Sequence, residues 1–403
     1  MMLNKLLKRV GLSNILLVIM QLSMYPYLFY FFLGLPEDNI MSVAYFVIIA
    51  ILCLYKIKKP GIVPSSVVLI MMIQSVFWMF FCLLHSDTSY IVRIFYIVLA
   101  YLMLLLLSKD NSIIKFSNVY NYTIAIQGIM GVVAFFLILI NILKPIYSIP
   151  FNDNGGLLEF YGLTCSKVHL DNFIRVNGFF DEPGAFAFWG MFALLFNKLV
   201  FDNRKMEVII IISLLFTFSA AYFVLLPLYF LCFYGNKIKS LLVIIVVLAP
   251  LVFFVANFLS DNDAFLKYTT ERFEGGGIQS TRYDQADLTK KFFESSPIIG
   301  VGALNLQDSL GTDVNDNPYE ILAKDGILGF LITYLPLIYV AIKYGRKREV
   351  LSTVLILFLD YGQRPFHINE MHFFMLYLLC TLIILKYTKG LSNPIHCPKP
   401  HID

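Results

Sequence analysis

The chain has 403 residues, of which 59% are hydrophobic and only 14% charged, with a mean hydropathy of +0.75 and a net charge of +4. Soluble domains carry roughly 45–50% apolar and 25% charged residues, so one or two water-soluble domains are excluded and lipid must be the solvent. The aromatic content of 16% suits a bundle with Tyr and Trp at the headgroup level.

Crossing about 30 Å of hydrocarbon takes roughly 17–25 helical residues. Apolar runs predict spans at 13–34, 40–55, 62–84, 90–107, 119–143, 183–201, 206–217, 219–234, 238–259, 318–342, 350–361 and 371–387. The fold class expected is therefore all-α, a single polytopic membrane domain over 1–403 with about twelve spans. Within 206–234, TFSAAY (217–222) puts small and polar residues mid-run. That predicts two short, closely linked crossings and not one long helix.

Basic residues mark the sides of the membrane. Lys5, Lys8 and Arg9, then Lys56, Lys58 and Lys59, Lys109 and Lys115, and Lys198, Arg204 and Lys205 fall on alternate connections. So do Lys237 and Lys239, then Lys343, Arg346, Lys347 and Arg348, and finally Lys386, Lys389 and Lys399. The positive-inside rule makes that side cytoplasmic and puts both termini there. The first span is too long and too closely followed by others to be a cleavable signal. Cys53, Cys82, Cys232 and Cys380 lie in spans, Cys397 is cytoplasmic and Cys165 alone faces outward, so no structural disulfide is expected. His396, Cys397 and His401 in the tail lack a convincing metal-ligand pattern, and no metal or other cofactor is expected.

Two connections are long, 144–182 and 260–317, and both lie on the outer side. Long loops between packed helices usually carry function. Acids outnumber bases in each, which excludes a general basic patch for nucleic acid. An anionic ligand would have to be held by positioned arginines: Arg175, Arg272 and Arg282 in the loops, Arg364 at the outer end of the last helix pair, and Arg93 one turn inside the fourth span. An arginine at that depth either snorkels outward or faces a cavity. Guanidinium forks match phosphate oxygens, and nearby carboxylates (Asp181, Glu182, Asp284, Asp316, Glu320) could take a proton from an attacking hydroxyl. Such a set would suit glycosyl transfer from a lipid-diphosphate sugar.

RVNGFFDEPGAFAFWG (175–190) resembles the signature of bacterial O-antigen and capsule repeat-unit polymerases, the Wzy family, at Arg175, Gly178, Phe179, Phe180, Glu182, Pro183 and Gly184. TRYDQADLTKKFFESSPIIGVGALN (281–305) looks like that family's second long outer loop, with Arg282 opening a short helix before Pro297, Gly300 and Gly302. NDNPYEILAKDGILG (315–329) resembles the entry to the next helix, with Gly326 and Gly329, and TFS (217–219) resembles its Thr-x-Ser turn. O-antigen ligases share much of this pattern but resemble a His-Asn pair about eleven residues before the final Gly. Here that position holds Asn315 and Asp316, with no His nearby, which favours a polymerase.

The resemblance implies a GT-C-like glycosyltransferase in the cytoplasmic (inner) membrane, with its active site facing outward; no acidic pair sits at convincing ligand spacing, so metal-independent action is expected. Its partners would be polyprenyl diphosphate-linked oligosaccharides, membrane lipids and a chain-length regulator. The catalytic candidates are Arg175, Arg282, Glu182 and Asp316, with either carboxylate as base. Arg93, Arg272, Arg364, Asn315, Glu320 and His367 are the substrate-binding candidates. A ligase and a lipid-linked oligosaccharide flippase are the alternatives. A flippase would show internal repeats and polar residues at the midplane.

Overall fold

A computed structural model describes residues 62–108, 112–150, 157–166, 174–180, 182–235, 281–310, 319–363 and 370–388. The spans expected at 13–34, 40–55 and 238–259 lie outside them. The described chain is mostly helical. Its helices are α1 (Ser65–His85), α2 (Ser89–Leu107), α3 (Ser112–Leu139), α4 (Pro183–Phe196), α5 (Arg204–Leu215), α6 (Ala220–Tyr234), α7 (Thr281–Ser295), α8 (Ala303–Leu310), α9 (Glu320–Thr333), α10 (Leu335–Tyr344), α11 (Arg348–Gln363) and α12 (Glu370–Thr388). Six helical stretches among the described residues are long and apolar enough to cross a membrane, counting α4 with the π turn after it and α9 with α10 as one each.

The chain divides into two compact units, Met1–Glu37 with Ser117–Gln279, and Asp38–Phe116 with Ser280–Asp403. In the first, α4 starts where Pro183 supplies a fixed φ and needs no N–H partner, and every residue from Pro183 to Phe196 is buried. It runs on into a π turn, Asn197–Phe201, closed by Asp202 in a left-handed conformation. The Asn203 side chain then caps α5, accepting from Lys205 N (3.1 Å) and Met206 N (3.2 Å). The break expected in 206–234 is present: α5 ends at Leu215, Phe218 takes a positive φ, and α6 starts at Ala220. Tyr229 and Tyr234 of α6 reach back to Glu207 at the start of α5, so the two helices form an antiparallel hairpin.

The first long connection is not simply a loop. Tyr147–Pro150 (β1), Leu157–Phe160 (β2) and Cys165–Ser166 (β3) form an antiparallel sheet in that order, with Ser148 opposite Glu159 and Glu159 opposite Ser166. The all-α expectation therefore needs this addition.

In the second unit, α1 and α2 form a hairpin through Ser86 in the left-handed region and Asp87, whose Oδ1 accepts from Ser89 N at 2.8 Å. The central helix is α12, buried along almost its whole length from Met371 to Ile384 and packed on α2. The stretch expected as one span at 318–342 is one apolar stretch, Glu320–Tyr344, built of two helices that meet at Tyr334. Pro336 has no N–H for the Ile332 carbonyl, four residues earlier. Gln74 of α1 takes over, donating from Nε2 to Ile332 O at 2.6 Å and Thr333 O at 3.2 Å, while Tyr377 of α12 donates to its Oε1. A freed carbonyl in a span requires such a partner, because lipid offers none.

Candidate functional site

Arg175 lies in the segment leading to α4. Val176 N donates to Phe216 O at 3.0 Å, which lays this segment against the α5–α6 turn. The Arg175 Nε then donates to Thr217 O (2.9 Å) and its Nη2 to Phe218 O (3.0 Å). These carbonyls are available because Thr217 and Phe218 lie in the turn between α5 and α6, outside the hydrogen-bond ladder of either helix. The turn expected from TFS is thus the cradle of the half-buried guanidinium.

A left-handed glycine and two hydrogen bonds fix the backbone behind it. Gly178 has a positive φ, its carbonyl accepts from Cys165 N at 2.8 Å, and Gln127 Oε1 of α3 accepts from Phe179 N at 3.1 Å. A Cβ at Gly178 would press on Gln127 and Phe186, so glycine is required twice over. Glu182 follows as the N-cap residue of α4, extended and partly exposed, its carbonyl accepting from Ala185 N and Phe186 N. Cys165, expected to face outward, is 1% exposed, and burial pushes its thiol up to about 12. Tyr161 in the same connection is also raised, first by burial and then by its 2.5 Å bond to Glu159.

In the second unit, Arg93 neither snorkels nor stands unaccompanied. Its Nη1 donates to Asp325 Oδ2 at 2.6 Å, and Tyr90 donates to Asp325 Oδ1 at 2.7 Å. The guanidinium carbon lies 4.4 Å from the centroid of the Trp78 ring and 4.6 Å from that of Tyr90. Asp325 is fully buried, and the pair is a desolvated charge pair inside aromatic walls.

Asp325 is placed by a break in α9. Gly326 takes φ 65° and ψ −171°, outside the helix. The Pro297–Gly302 segment fills the break from both sides. Ile327 N and Leu328 N donate to Pro297 O and Ile298 O, while Val301 N and Gly302 N donate to Ala323 O and Lys324 O, all at 2.9–3.0 Å. Four peptide groups at the break, two N–H and two C=O, thus meet partners on this segment. His85 Nε2 bonds Ile299 O at 3.1 Å, and Asp87 Oδ2 accepts from Leu304 N at 3.3 Å, tying the α1–α2 corner to the same segment. Glu320, a substrate-binding candidate, is buried and paired with Lys324 at 2.5 Å.

Arg282 is the second residue of α7, the short helix the sequence predicts there. Arg272, Asn315, Asp316, Arg364 and His367 lie outside the described residues. Sequence reading missed Asp325 and Glu207. Glu207 was visible as the one carboxylate of the apolar run 206–217, and Asp325, which shares its run with Glu320, as the acid directly ahead of a glycine. Glu207 is buried and accepts from Lys198 Nζ (2.9 Å), Tyr229 (2.6 Å) and Tyr234 (2.6 Å). Among the described residues no group of three or more potential metal ligands comes together.

These features define a helical membrane protein with buried charge in its spans and arginines set by helix breaks. No family model, curated protein or solved structure matches the chain.

Proposed function

We propose that the protein polymerises lipid-linked oligosaccharide repeat units on the outer face of the cytoplasmic membrane, with the twelve-span, GT-C-like architecture that its sequence resemblance implies. The observation that carries this reading is Arg175, whose guanidinium is aimed by two backbone carbonyls immediately ahead of Glu182 and the start of α4. An arginine fixed in this way suits a diphosphate, since its planar fork matches phosphate oxygens and its charge persists at any physiological pH. Arg282 is the companion arginine of the reading.

In the step proposed, the acceptor hydroxyl oxygen bonds to the anomeric carbon of the donor sugar. The bond from that carbon to the diphosphate breaks, and the electron pair leaves on the diphosphate, whose charge the arginines stabilise. The hydroxyl proton passes to a carboxylate, Glu182 or Asp316. A flippase would use a broken span to cradle its cargo. Four peptide groups at the Gly326 break already have partners in the Pro297–Gly302 segment, which weighs for an enzyme over a transporter.

Arg175→Ala should lower polymer formation at least about 100-fold, the loss typical of one charge-stabilising donor, with single repeat units left on the carrier. Arg175→Lys should recover little, because a point charge cannot replace the fork. Full polymer from Arg175→Ala at normal protein level would refute the assignment.

A further inference from the structure

We propose that Arg93 is a phosphate-binding arginine, held by one edge on Asp325 and offering its Nε/Nη2 fork, beside the Trp78 indole N–H, to the oxygens of a lipid-borne phosphate or diphosphate. Guanidinium has five N–H donors in a rigid plane. Among the described residues Arg93 uses one of its nitrogens as a donor, Nη1 to Asp325. Nε and Nη2, the pair that forms a parallel fork, meet no acceptor there, although the residue is only 8% exposed.

The Trp78 Nε1–H, on a residue with no exposure, also has no hydrogen-bond partner. Nor has the buried Oγ of Ser89, one turn before Arg93 on the same face of α2. An unsatisfied buried donor is costly, more so where lipid replaces water. Trp78, whose ring the guanidinium overlies, and Ser89, one turn earlier on α2, thus each bring an unpartnered polar group to the surroundings of Arg93.

The composition of the set selects the ligand. Arg93 and Trp78 offer donors only and the Ser89 hydroxyl can donate as well, so a group rich in acceptors can satisfy all three at once. A phosphate group is rich in acceptors and fits the fork bidentately. Asp325 and Tyr90 are positioning residues: they fix the plane of the guanidinium and leave the fork free. Asp87, the nearby acid, is engaged with Ser89 N and Leu304 N. The inference does not depend on the transfer reaction, because binding is read without turnover.

The chain has two tryptophans, so Trp189→Phe leaves Trp78 as the only indole reporter. The purified full-length protein in detergent micelles should be titrated with inorganic phosphate, farnesyl diphosphate, phosphatidylglycerol, farnesol and diacylglycerol. A saturable change in Trp78 emission is expected with at least one phosphate-bearing probe and with neither phosphate-free lipid. The tightest probe identifies the source as carrier diphosphate, headgroup or free phosphate. Arg93→Met should weaken that binding at least about tenfold, as expected for loss of a charged hydrogen bond. Arg93→Lys keeps a charge opposite Asp325 but loses the fork; it should also weaken binding and serves if Arg93→Met does not fold. No saturable change with any phosphate probe, or equal binding in Arg93→Lys, overturns the proposal, whatever the polymer assay shows.

Discussion

Two buried charge networks, one in each unit, are built in opposite ways. At Glu207 the carboxylate accepts from Lys198, Tyr229 and Tyr234, and Lys198 Nζ in turn donates to Glu207, Asp202 and Tyr234. An ammonium has three N–H donors, so that network is saturated. At Arg93 the carboxylate of Asp325 has two donors, but the guanidinium keeps its fork unengaged among the described residues. Saturation marks a staple that closes the α4–α5–α6 hairpins. Unused donors mark a place built to meet something else. Counting donors against acceptors separates the two, where burial and proximity alone would treat them alike.

Removing the staple should have the largest effect. Glu207→Ala leaves the Lys198 side chain, 9% exposed, without its buried carboxylate. The expected cost is about 3–5 kcal/mol, the range for one partner of a buried pair. It should be seen as loss of folded protein in a detergent thermal-stability assay. Lys198→Met with Glu207→Leu should recover most of that loss, and no recovery would mean that the hydroxyls of Tyr229 and Tyr234 matter more than the charges.

A smaller effect is expected at the break that places Asp325. Gly326→Ala forces a side chain into the left-handed region, at about 1–3 kcal/mol, and drives its Cβ into the Ile298 carbonyl. The substitution should lower the unfolding temperature and weaken phosphate binding at Arg93 together. Binding unchanged beside a lowered stability would show that Asp325 does not need the break.

The smallest effect concerns Cys165. A membrane-impermeant maleimide should modify it about tenfold or more slowly than a cysteine placed at exposed Ser148, because both burial and a raised pKa suppress the thiolate. The buried neutral thiol contributes stability in full below its ordinary value near 9.0, and that contribution is lost as pH rises toward about 12. Labelling as fast as at position 148 would mean that the sheet edge opens readily.

Local patterns in the chain were legible, and distant partnerships were not. Apolar run length located α1, α2, α4, α6 and α12 within a few residues, and the small and polar residues of TFSAAY marked the α5–α6 break correctly. Pro297, Gly300 and Gly302 were visible as a motif. Their use, interlocking with the break at Gly326, depends on backbone bonds to residues more than twenty positions away and has no local signature. Arg93 was singled out by its depth alone. Its partner Asp325 is 232 positions distant, which no periodicity can reveal. The β1–β2 hairpin was overlooked although Asn154-Gly155-Gly156 between two short β-prone runs is a recognised turn signal.

The polymerase assignment is tested most directly by the glycan that accumulates when the protein is deleted from its cell. Polymerase and ligase would draw on the same carrier-linked donor but differ in acceptor, a second lipid-linked unit against a finished lipid core. Loss of a polymerase stops growth after one addition, so single repeat units should remain on the carrier or on whatever receives them. Long chains held on the carrier, with none on the final acceptor, would contradict the assignment and establish a ligase in its place.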